Sequence, residues 1–154
     1  MAATPNFDIH EAHKYFSAEC FNQTWDYIDK DGERSMEENM SMLHTAIASL
    51  WHWSQREDVQ PEQLSVGYWQ VSRVYNLIQQ PHNAKTYGML ALKYAEGLKP
   101  FYKGYAYETL ARAEMIISNR FIMNVHLDRA REMLALIEDE EDKQLLLKDL
   151  ETIR

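Results

Sequence analysis

The chain has 154 residues, 16 Lys+Arg against 24 Asp+Glu for a formal net charge of −8, and 45% hydrophobic residues with only five Gly and four Pro. That length predicts a single domain over 1–154 with a real core, and the acidic balance excludes a nucleic-acid or polybasic membrane-surface role, since both need a basic footprint. One cysteine excludes an internal disulfide or a thiolate zinc site and points to a reduced, cytoplasmic protein.

The opening stretch to Phe16 lacks the basic-then-apolar form of an export signal, and no window approaches the roughly 18 apolar residues of a membrane span. The apolar residues recur at three- and four-residue spacing, so the chain is expected to be all-helical. A first helix is predicted over about Asp8 to Asp29, with Ile9, Ala12, Phe16, Cys20, Phe21, Trp25 and Ile28 on its buried stripe. Ser35-Met36-Glu37-Glu38 has the S-x-x-E form of a capping box. It opens a second helix that carries Met36, Met40, Leu43, Ile47, Leu50 and Trp51. Pro61 fits the first turn of a third helix, with Tyr68, Val71, Tyr75 and Ile78 on one face.

Pro81-His82-Asn83 reads as a tight turn into a fourth helix, whose Ala84, Ala91 and Ala95 permit close packing. Gly97 to Gly104 is predicted as the next break, followed by a fifth helix over about Tyr105 to Ser118 and a sixth from Arg120 or Phe121 to Ile137. The acidic run Glu138 to Asp142 suits the first turn of a seventh helix, because negative charge there complements the macrodipole. Leu145, Leu146, Leu147, Leu150 and Ile153 follow as the apolar side of a cap.

The most informative feature is an internal repeat. Tyr68, Val71 and Ser72 with Ala84, Gly88 and Ala91 have counterparts Tyr107, Leu110 and Ala111 with Met123, Leu127 and Ala130, each pair 39 residues apart. This pattern, from Val66 to Ile137, resembles a degenerate tetratricopeptide repeat, in which an aromatic, an aliphatic and a small residue on one helix meet small and large residues on the next. The resemblance implies antiparallel hairpins over about 8–57, 61–98 and 104–137, a cap at 139–153, and a TPR-like right-handed superhelix. A further set of residues is similar to an uncharacterised bacterial family with this helical-repeat fold. It comprises Cys20-Phe21-Asn22 with Trp25, His44 with His52-Trp53, Trp69-Gln70 with Ser72-Arg73-Val74-Tyr75, Ala106-Tyr107-Glu108, and Lys148 to Ile153. That likeness supports the fold and carries no catalytic residue.

In such a register Trp69, Arg73 and Asn76 of the third helix, and Tyr105, Glu108 and Arg112 of the fifth, line a groove. Two guanidiniums beside two aromatics would suit an acidic side chain or a peptide C-terminus. The competing arrangement is internal: Glu108 and Arg112 are four apart on a helix, and Arg73 can reach Glu108 from the neighbouring unit. The expected function is therefore a non-catalytic scaffold for a protein or peptide partner, without metal or cofactor, with self-association as a homodimer a further reading. The alternative is a metal-assisted or general acid/base enzyme using His44 and His52, with His13 as a third member. Against it, His44 and His52 lie two helical turns, about 12 Å, apart on one helix. Cys20 is expected to be a small buried hydrophobe.

Overall fold

Each helix begins where a side chain accepts from the free amides of a first turn or a proline removes one of them. The computed structural model describes residues 4–154. Asp8 accepts from the amides of His10 and Glu11 and opens α1 (Ile9–Ile28). Ser35 and Glu38 form the reciprocal capping box that opens α2 (Met36–Ser54), with Glu38 N–H to Ser35 Oγ at 3.1 Å and Ser35 N–H to Glu38 Oε2 at 2.8 Å. Prolines stand at the start of α3 (Pro61–Leu77), α4 (Pro81–Tyr94) and α5 (Pro100–Ile116). Asn119 accepts from Ile122 at the start of α6 (Arg120–Leu136). Asp139 does the same from Asp142 for α7 (Glu140–Leu150), so the acidic run is a helix start. The described residues contain no strand, and no helix among them is long and apolar enough to cross a membrane.

Packing groups the helices into two compact units, one reaching to Gln60 and one spanning Pro61–Arg154. In the first, α1 packs on α2. The buried residues of α1 are Ser17 and Thr24, and the expected apolar stripe is not the buried one: Ile9 and Phe16 are exposed, and Cys20 is half-buried. The physical reason is close approach. Ser49 Oγ donates to the Ser17 carbonyl at 2.8 Å and Thr24 Oγ1 to Thr45 Oγ1 at 2.9 Å, so small hydroxyl side chains fill the seam and hydrogen-bond across it. On α2 the inward residues are Met42, Leu43, Ala46, Ser49 and Leu50, while Met36, Met40 and Trp51 are exposed.

In the second unit α3 packs on α4, α5 on α6, and α5 also on α3, α4 and α7. The 39-residue offset governs its backbone. Pro61 and Pro100 open two helices of 17 residues each, and α4 and α6 start at 81 and 120. Both intervening turns carry a non-glycine residue in the left-handed region, Gln79 at φ 60° and Ser118 at φ 65°. In each, the next amide reaches back five residues, Gln80 to Tyr75 at 2.8 Å and Asn119 to Glu114 at 2.9 Å. These paired bonds close two matching Schellman turns. The turn expected at Pro81 to Asn83 thus sits at Gln79, and Pro81 is already helical, as its fixed φ favours.

The break expected over Gly97 to Gly104 is shorter as well. Gly97 turns at φ 79°, but Pro100 starts α5 and Gly104 lies inside it, where a Cβ would stand 2.6 Å from Leu146 Cδ2 of α7. Gly88 similarly lets α4 approach Leu110 of α5. Ala111, Met123, Leu127, Ala130, Ile137, Leu146, Leu150 and Ile153 form the core between α5, α6 and α7.

Candidate functional site

Glu108 sits in the middle of α5 with its side chain fully buried, a position that costs a carboxylate several kcal/mol unless it is paired. Arg112, one turn on, supplies the pairing: its Nε donates to Glu108 Oε1 at 2.7 Å and its Nη2 lies 2.6 Å from the same oxygen. From α3, Trp69 Nε1 donates to Glu108 Oε2 at 3.4 Å. Arg73 holds Nη1 3.9 Å from Glu108 Oε1 and Nη2 3.9 Å from Asp149 Oδ1 on α7.

Asp149 and Thr152 complete the cluster from the C-terminal end. The Tyr105 hydroxyl donates to Asp149 Oδ2 at 2.9 Å, and Arg112 Nη2 donates to the Asp149 carbonyl and to Thr152 Oγ1. Burial, and then the Asp149 carboxylate, push the Tyr105 hydroxyl far above its usual range, so it stays protonated as a donor. The Trp69 and Tyr105 rings meet edge-on at 5.1 Å, and the Arg73 guanidinium lies 5.8 Å from the Trp69 ring centre.

Five of the six residues expected on the groove, namely Trp69, Arg73, Tyr105, Glu108 and Arg112, therefore meet in one place. Asn76 does not join them. It is buried, and its amide donates to the carbonyl and hydroxyl of Thr109, both at 3.1 Å, holding α3 to α5. Two guanidiniums and two carboxylates leave the cluster formally neutral, and the internal pairing of Glu108 with Arg112 is formed. Arg73 is the unbalanced member: its Nε and Nη1 are buried without a hydrogen-bond partner. Asp149 and Thr152 were not foreseen, because a capping helix shows in the sequence as an apolar face and gives no register for its polar side.

A second buried carboxylate lies on the other side of α5. Glu114 pairs with Lys85 at 2.5 Å through Oε1, while its Oε2 has no hydrogen-bond partner. His126 of α6, stacked on Tyr107, is held below its usual pKa by burial, partly offset by Glu114. An open cleft of about 730 Å³ at the start of α5 is lined by Lys99, Phe101, Leu136 and Asp139 among others, and by none of the six groove residues.

Among the histidines, the structure brings His13 to His52, with the two Nδ1 atoms 2.8 Å apart, whereas His44 is exposed two turns earlier on α2. Burial, then the neighbouring His13, lower the pKa of His52. No group of three or more His, Cys, Asp or Glu that could hold a metal exists among the described residues. Burial raises the Cys20 thiol, which disfavours the nucleophilic thiolate.

Comparison with protein-family models, with curated proteins and with solved structures finds no match to this chain.

Proposed function

We propose that the chain is a non-catalytic helical-repeat scaffold, tetratricopeptide-like in the stacking of its helical hairpins, that holds a protein or peptide partner on the wall formed by α3 and α5. Support for the repeat comes from the 39-residue recurrence of helix starts and of the left-handed turn residues Gln79 and Ser118. In this reading α7 is the cap that covers the last apolar face of a short array.

One observation carries the binding role. Both carboxylate neighbours of Arg73 stand at 3.9 Å, beyond direct hydrogen bonding, and its side chain keeps 19% exposure. A guanidinium so placed gains from a carboxylate that approaches to about 2.8 Å with two parallel bonds. Trp69 and Tyr105 flank it with flat apolar surface. The partner's acidic group exchanges with Asp149 on Arg73, while Arg112 stays committed to Glu108 and keeps the buried carboxylate neutralised.

The test is a fluorescence-anisotropy screen of short peptides carrying either a free C-terminal carboxylate or a C-terminal amide, against wild type and Arg73→Ala. The proposal expects carboxylate peptides to bind better than their amides, and the preference to vanish in Arg73→Ala. Equal binding of the two peptide forms, or a preference that survives the substitution, overturns it.

A further inference from the structure

We propose that His13 and His52 form a two-histidine chelate for a divalent transition-metal ion of the zinc(II) class on the α1–α2 pair. The two rings come from different helices and present Nδ1 to Nδ1 at 2.8 Å, with ring centres 5.0 Å apart and planes tilted by 53°. Without metal this contact is an N–H···N hydrogen bond, which requires one of the two Nδ1 atoms to be an unprotonated acceptor. A metal ion replaces that shared proton when both Nδ1 atoms are bare and the Nε2 atoms carry the hydrogens.

The distances suit the exchange. At a zinc–nitrogen length of about 2.0–2.1 Å, two nitrogens on a tetrahedral ion stand about 3.3 Å apart, so the pair has to open by only about half an ångström. The helices that carry the rings are pinned by the Ser49–Ser17 and Thr24–Thr45 hydrogen bonds, which fixes the approach of the two Cα atoms. The rings themselves are confined by aromatic neighbours: Trp51 lies edge-on to both, 5.3 Å from His13 and 4.9 Å from His52, and Phe16 lies 5.4 Å from His52. Little orientational freedom is left to lose when the ion arrives.

The donor set decides the class of ion. Two neutral imidazoles with no carboxylate suit borderline cations such as zinc(II), nickel(II) or copper(II), and offer nothing to calcium or magnesium, which take oxygen ligands. Since no third His, Cys, Asp or Glu joins the pair among the described residues, water completes the coordination. Trp51 and Phe16 are 53% and 43% exposed, so solvent reaches the flank of the site. The chelate requires neither the Arg73 cluster nor the partner-binding reading.

The experiment is calorimetric titration of tag-free protein with zinc(II) chloride, with magnesium chloride as control, followed by histidine side-chain ¹⁵N spectra. One zinc ion per chain is expected, with His13→Ala and His52→Ala each weakening uptake by about tenfold or more, since even outer-shell losses cost 10–100-fold. His44→Ala should bind as wild type does. Because alanine at either position could loosen α1 from α2, the wild-type spectra supply an independent reading: zinc must shift the Nδ1 signals of His13 and His52. Absence of uptake by wild type, full uptake by His13→Ala, or shifts confined to other histidines would overturn the proposal.

Discussion

Replacing Arg112 by methionine keeps most of the aliphatic volume and removes the charge that neutralises Glu108. The fully buried carboxylate is then left with Trp69 Nε1 at 3.4 Å and Arg73 at 3.9 Å, neither of which replaces two contacts at 2.6–2.7 Å. Breaking one side of a buried pair costs about 3–5 kcal/mol. The lost bonds to the Asp149 carbonyl and Thr152 Oγ1 are worth about 1 kcal/mol each. Arg112 is itself 17% exposed, which places the pair at about 3 kcal/mol and the sum with the two lost bonds at about 5 kcal/mol. With a urea slope of about 1–3 kcal/mol per molar, the midpoint should fall by about 1 M or more. Glu108→Leu combined with Arg112→Met removes both charges, and should cost at least about 1.5 kcal/mol less than the two single changes together. If Arg112→Met costs under about 1 kcal/mol, as an exposed pair would, and the cycle is additive, the buried-seam reasoning is refuted.

Three further expectations follow from the same packing. Gly104→Ala drives a methyl into the buried Leu146 and should lower stability by about 1–3 kcal/mol in urea denaturation, with the α7 amides exchanging faster. Gln79→Gly relieves a left-handed residue and should raise the melting temperature, by the equivalent of about 0.5–1 kcal/mol, provided the Schellman turn persists. His126 has a folded pKa below its unfolded value of about 6.5, so it favours unfolding once protonated: stability should decline as pH falls below about 6.5, and His126→Gln should flatten that decline between pH 7 and 5. Identical profiles for wild type and variant would count against the assignment.

Local signals were legible in the sequence where one residue type answers one physical need. The Ser35–Glu38 capping box satisfies orphan amides, Pro61 removes one at a first turn, and the acidic run Glu138 to Asp142 starts a helix, each where expected. The 39-residue offset also survives, down to the Schellman turns. What the sequence concealed depends on partners. Phe16 and Trp51 look like core residues until Ser17, Ser49 and Thr24 are seen to bring α1 and α2 close through their hydroxyls. Gly104 looks like a helix breaker, but it is a gap cut for Leu146, more than 40 positions away. In the cluster, the convergence of Arg73 and Arg112 on Glu108 followed from helical spacing. Asp149 could not be placed before α7 had a register, and the contact of His13 with His52 depends on how two helices are turned toward each other.

The most direct check on the central claim is the Nε–Hε spectrum of the two arginines during titration with a short peptide bearing a free C-terminal carboxylate. Arg112, bonded to Glu108, should give a slowly exchanging signal that stays still, while the Arg73 signal should move and saturate with the peptide. A fixed Arg73 signal, or two arginines that shift together, would contradict a wall on which one guanidinium is committed and the other is open to a partner.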